Sequence, residues 1–102
     1  MMDGTEHMHN AARLTLSGEM TIYNAAQIKA TLAEAMRGAA ELEVDLSGIA
    51  DIDTAGLQLM LIAKRHPDCR VRFVNHSPEV LRLIDLANLG GALGDPLFIA
   101  AN

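Results

Sequence analysis

Residues 44–57 read Val44-Asp45-Leu46-Ser47-Gly48-Ile49-Ala50-Asp51-Ile52-Asp53-Thr54-Ala55-Gly56-Leu57. The first part alternates, with Leu42, Val44 and Leu46 separated by Glu43 and Asp45, which is the period of a strand. Ser47-Gly48 opens a loop, and from Thr54 the pattern becomes a nearly unbroken apolar helix running to about Arg65, closed by Pro67. A strand feeding a helix through a loop is the first half of a strand–helix–strand unit. Such units favour parallel pairing through right-handed crossovers.

Working outward, the same grammar repeats. Downstream, Val71-Arg72-Phe73-Val74 is the next strand, and Ser77-Pro78-Glu79 starts a helix with a hydroxyl cap, proline in its first position and an acid in its first turn. Val80, Leu81, Leu83, Ile84 and Ala87 give that helix its apolar stripe. Upstream, Ala25, Ile28, Leu32, Ala35 and Met36 recur at helical spacing, with Asn24 as the expected N-cap and Gly38 as the stop. Before them, Arg13-Leu14-Thr15-Leu16-Ser17 reads as a strand, Gly18-Glu19 as a turn and Met20-Thr21-Ile22 as a short second strand, which predicts an antiparallel hairpin. The expected architecture is α/β, with a mixed, mostly parallel sheet of four to five strands and three to four helices. Residues 1–11 are expected to form a disordered tail and residues 12–102 the domain. Within 88–102 only Leu97-Phe98-Ile99 suggests a short final strand.

Composition narrows the function classes. The chain has 102 residues, half of them apolar, so it holds one domain with a sizeable core. Tyr23, Phe73 and Phe98 are its only aromatic residues, so the core must be aliphatic. A net charge of −5 argues against nucleic acid, which requires a basic face. The single Cys69 forms no internal disulfide, no apolar run is long enough to cross a bilayer, and Met1 to Asn10 is polar rather than signal-like. A cytoplasmic location without membrane insertion is expected. No P-loop, dinucleotide fingerprint or nucleophile elbow is present, so no cofactor, metal or catalytic residue is expected. His7 and His9 supply two ligands on a loose tail, short of a metal site. His76 and Ser77, adjacent on a turn, point apart and make no triad.

Chemistry concentrates in the quoted stretch. Loops at the carboxyl ends of parallel strands are where α/β sheets place their sites. Asp53 and Thr54 stand where a helix begins, at its free N–H groups and positive dipole end, and Gly56 leaves its first turn bare. Asp45-Leu46-Ser47-Gly48 followed by Ile52-Asp53-Thr54-Ala55-Gly56-Leu57 resembles the signature loop of STAS domains, the fold of anti-sigma factor antagonists. The resemblance runs from about Leu14 to Leu89 and includes Asn75-His76-Ser77-Pro78. It implies a STAS fold and a regulatory domain that binds proteins rather than an enzyme. In anti-sigma factor antagonists the loop reads Asp-Ser-Ser-Gly, a partner kinase phosphorylates the second hydroxyl, and only the unphosphorylated form sequesters the kinase.

Here the residue before Gly56 is Ala55, which has no hydroxyl, and Thr54 matches the first hydroxyl instead. An Asp-Thr-Ala-Gly-Leu loop is similar to that of two other STAS groups. One is the cytoplasmic subunit of phospholipid ABC transporters, and the other comprises STAS proteins of chemotaxis-like signalling. The resemblance implies a partner-binding surface of Asp45, Ser47, Asp51, Asp53, Thr54, Ala55, Gly56 and Leu57, with Thr54 a candidate for phosphorylation. The expected partner is an anti-sigma factor, a serine kinase or a histidine-kinase-linked regulator. An ABC ATPase is the alternative, a small ligand or nucleotide ranks last, and the chain itself is expected as a monomer or weak dimer.

Two expectations rest on the residues alone. Thr54 can be read simply as a helix N-cap, worth about 1 kcal/mol. Between Gly38 and Ala63 there is no Lys or Arg, so Asp45, Asp51, Asp53 and Glu79 are expected to gather at the carboxyl edge of the sheet, facing a basic partner. Lys64, Arg65, Arg70 and Arg72 fall towards the other edge. The helix from Leu57 to Ala63 reads as central and buried, with Met60 as a candidate adaptable contact.

Overall fold

The computed structural model describes residues 11–88. Its elements run β1 (Ala11–Met20), α1 (Ala25–Met36), β2 (Glu41–Ile52), α2 (Thr54–Lys64), β3 (Arg70–Val74) and α3 (Pro78–Ala87). The α/β alternation and the three helices follow the sequence expectation. The strands are ordered β1-β2-β3, and both pairings are parallel.

The expected hairpin is absent. Gly18-Glu19 does not turn the chain back; β1 continues through it to Met20 and pairs with β2 along its whole length. Gly18 takes φ +86, a conformation glycine adopts without strain, and the register shifts there instead of reversing. Between Thr15↔Asp45 and Met20↔Ile52, β2 spends two more residues than β1. These bulges bend the pair and break the simple alternation that a hairpin reading relies on. Likewise β2 does not end at Leu46. Ser47 to Ile52, read as a loop, is extended backbone paired with Ser17–Met20. Gly48 allows it, because a Cβ there would stand 3.0 Å from that of Ser17. The described sheet therefore has three strands, and the expected final strand at 97–99 lies outside the described residues.

One face of the sheet is apolar. Leu42, Val44 and Leu46 of β2 and Val71 and Phe73 of β3 are buried, in one cluster with Ile28 and Leu32 of α1, Leu57 and Met60 of α2, and Val80 and Ile84 of α3. Among the described residues Phe73 is its only aromatic member. Met60 is fully buried, so it is core and not an adaptable surface contact. On the opposite face Arg13, Glu43 and Arg72 lie in register across the three strands, with Glu43 accepting from Arg13 at 3.0 Å and Arg72 at 2.6 Å. Arg70 pairs with Glu41 at 3.6 Å, and Lys64 donates to the Val71 carbonyl at 2.7 Å. Lys64, Arg70 and Arg72, three of the four basic residues expected at this end, are thus held by neighbours.

Candidate functional site

The corner between β2 and α2 is built around Asp53. This residue, and not Thr54, is the N-cap of α2. Its Oδ1 accepts from the N–H groups of Ala55 at 2.9 Å and Gly56 at 3.2 Å. Its Oδ2 accepts from the N–H of Ile22 at 2.9 Å, thirty-one residues earlier in the chain. A carboxylate has two oxygens with which to span two segments, whereas a threonine hydroxyl has one. The Ile22 bond, followed by those of α2, holds the Asp53 carboxyl below the usual carboxylate range, against the opposing effect of desolvation. Asp53 also donates its own N–H to the Met20 carbonyl at 3.2 Å. The ends of β1 and β2 are thus tied together where α2 begins.

With Asp53 capping, Thr54 is left at the first helical position, exposed, and its hydroxyl makes no hydrogen bond among the described residues. The capping explanation for Thr54 is therefore corrected. Ala55 beside it is half-buried, and Asp51 is exposed. Gly56 and Leu57, by contrast, are buried. A Cβ on Gly56 would overlap the Met20 carbonyl oxygen and stand 2.9 Å from the Met20 Cβ and 3.0 Å from Ile52 Cγ1. The bare position lets the helix sit on the strand ends; it does not open the surface to a visitor. Leu57 belongs to the core, so these two residues support the corner from within.

The four acids do not gather in one place. Asp45 lies six residues before Asp51 on an extended strand, up to about 20 Å away. Its carboxylate serves a separate junction, accepting from the hydroxyl and the N–H of Ser47 at 2.7 and 2.8 Å and from the Asn75 amide at 2.7 Å. The Ser47 hydroxyl bond, then the Ser47 N–H and Asn75, lowers the Asp45 pKa. Glu79, in the first turn of α3, follows that junction. At the α2 corner the acids are Asp51, Asp53 and one residue the sequence reading left out, Glu19, which sits directly across from Asp51.

The sequence reading also missed the segment that completes the corner. Thr21 to Asn24 forms a tight turn between β1 and α1. Asn24 donates its N–H to the Thr21 carbonyl at 3.0 Å, and its side chain accepts from the Thr21 N–H at 2.9 Å and donates to the Glu19 carbonyl at 2.5 Å. Asn24 occupies the N-cap position of α1, but its side chain makes no capping bond, because the amide is turned back into this turn. Ile22 and Tyr23 project from it, 65% and 91% exposed. The available signal was the pair itself: two large apolar residues immediately before a helix that already has its own apolar stripe.

A family model described as "Mlab, STAS domain" matches residues 4–98. Among solved structures, "Structure of the Anti-Sigma Factor Antagonist SpoIIAA in its Unphosphorylated Form" matches with a TM-score of 0.62 and 21% identity, over 82% of this chain and 78% of that one. At that identity the likeness is one of fold, and it bears out the expected α/β architecture. No curated protein matches the chain.

Proposed function

The chain belongs to the STAS domain family, and from that premise we propose that it is a non-enzymatic regulatory module of the anti-sigma factor antagonist type. It docks the α2 corner onto a kinase or anti-sigma-type regulator in the cytoplasm. One observation supports this reading: Asp53 performs the capping, so the exposed Thr54 hydroxyl makes no hydrogen bond among the described residues. Thr54, Asp51 and the exposed edge of Ala55 form the contact surface. Asp53, Gly56 and Leu57 hold it in shape, and Asp45, braced by Ser47, fastens β2 to Asn75 in the turn between β3 and α3.

Thr54 is also where a switch would act. A phosphate there would bring a charge of about −1.5 to −2 beside Asp51 and Asp53 and compete with the Asp53 carboxylate for the same N–H groups. Phosphorylation therefore disfavours the docked form. A second reading, favoured by Ala55 and the Asp-Thr-Ala-Gly-Leu loop, is the STAS subunit of a phospholipid ABC transporter, with its ATPase as partner.

The test is co-purification with the protein encoded beside this one, followed by titration of the Thr54 variants. Thr54→Ala is expected to change stability by no more than about 0.5 kcal/mol while weakening the partner at least tenfold, and Thr54→Glu more so. Unchanged affinity in both variants overturns the reading. An ABC ATPase as the bound partner selects the second reading over the first.

A further inference from the structure

Two stretches without a basic residue meet at the corner. There is no Lys or Arg from Leu14 to Ile28 or from Gly38 to Ala63. The β1–β2 register sets their ends side by side, Glu19 against Asp51 and Met20 against Ile52. At the middle of this acidic ground stand Ile22 and Tyr23, two of the four large apolar side chains exposed among the described residues. The other two, Ile62 and Leu86, are isolated on separate helices.

Resting on the docking reading above, we propose that Ile22 and Tyr23 are its apolar anchor. Their occupant is a partner protein whose surface offers an apolar pocket rimmed by Arg or Lys. The turn that displays them is held at every donor. The N–H of Thr21 reaches Asn24, that of Ile22 reaches Asp53, and that of Tyr23 reaches the Thr21 hydroxyl at 3.3 Å, which itself donates to Glu19 at 2.6 Å. A side chain presented on a fastened turn loses little further freedom on binding, and exposed tyrosines so placed are typical energetic centres of interfaces. The charge around them decides among occupants. An anionic membrane surface is repelled by Glu19, Asp51 and Asp53. A second copy meeting the same patch across a two-fold axis would set these acids against themselves. A basic rim complements all three. The bond from Ile22 to Asp53 makes anchor and Thr54 one unit, so the partner reads both together.

The experiment places the photoreactive amino acid benzoylphenylalanine at Tyr23, at Thr54 and, as a control, at Ile62. The protein crosslinked in cells is purified and titrated with the unmodified chain and with Ile22→Ser, Tyr23→Ser and Ile62→Ser, after their melting temperatures are matched. Crosslinking at both Tyr23 and Thr54 is expected. Tyr23→Ser should weaken binding about thirtyfold, the size of a hot-spot loss, with Ile22→Ser also weaker and Ile62→Ser unchanged. Affinity should fall steeply between about 50 and about 300 mM salt, a range over which the Debye length shortens by a factor of about 2.4. Crosslinking at Thr54 without loss in either turn variant overturns the anchor and leaves the docking reading standing. Crosslinking at neither position overturns both. Sedimentation of the chain with phosphatidylglycerol vesicles, or a dimer in light scattering that Tyr23→Ser dissolves, replaces the proposed occupant with a membrane or a second copy.

Discussion

Gly56→Ala tests the geometry on which the corner depends. The added Cβ would stand 2.9 Å from the Met20 Cβ and 3.0 Å from Ile52 Cγ1, and nearer still to the Met20 carbonyl oxygen. Carbon pairs settle at about 3.5–4.0 Å, so the first turn of α2 must retreat by a sizeable fraction of an ångström. The Met20 carbonyl also holds the Asp53 N–H at 3.2 Å, the long end of the normal range, and retreat breaks that bond. Overpacking costs about 1–3 kcal/mol and a lost backbone bond about 1 kcal/mol. Against this, alanine gains up to about 1 kcal/mol over glycine in a helix. The net expectation is a loss of about 2 kcal/mol, or roughly 10 °C in melting temperature for a domain of this size. Urea unfolding followed by circular dichroism measures it. If helix propensity wins and Gly56→Ala matches or exceeds the parent, then α2 is not seated on the end of β1, and the corner has some other shape.

Other substitutions separate the two roles at the corner. Leu57→Ala, removing a buried core side chain, should cost about 2–5 kcal/mol in the same unfolding assay; a loss below 1 kcal/mol would return Leu57 to the surface. Asp45 and Asp53 titrate below their unfolded value in the native state. Their stabilisation is therefore complete above about pH 4 and disappears as pH falls through the lowered native values. Asp45→Asn and Asp53→Asn should each flatten the decline in melting temperature below pH 4, and an unaltered pH profile would mean those bonds do not form. Glu43→Gln, in the exposed Arg13–Glu43–Arg72 row, should change stability by less than about 1 kcal/mol, with any effect vanishing in high salt; a larger loss would show that row to be structural.

Helices were legible because their signals are local. Ser77-Pro78-Glu79 caps α3 as read, with the Ser77 hydroxyl accepting from the Val80 N–H at 3.3 Å. The strands were misjudged where their course depends on a distant partner. Gly18-Glu19 carries ordinary turn chemistry, yet β1 passes straight through because β2 offers it a parallel ladder as far as Ile52. Ser47-Gly48 misled for the same reason. The choice of Asp53 over Thr54 as the cap could not be made from the helix alone, since either residue suits the position. It is decided by Ile22, whose N–H needs a second carboxylate oxygen. Similarly, Gly56 was correctly singled out, but its purpose depends on the Met20 carbonyl, which only the fold brings near.

On the proposed reading, that one carboxylate couples recognition to integrity. A hydroxyl that capped the helix could not be modified or bound without unfastening the turn, so each partner contact would weaken the domain. With the cap given to Asp53, Thr54 is exposed and, on the proposed reading, free to be recognised. The arrangement also makes the corner responsive. Any group that draws the Ala55 and Gly56 N–H donors away from Asp53 loosens the carboxylate that also holds Ile22. A negative charge added at Thr54 would by itself favour a partner with a basic rim, so its harm comes through the corner, by disturbing the turn bearing Ile22 and Tyr23. Thr54→Glu should accordingly weaken binding even though its charge alone would strengthen it, and high salt should not restore it.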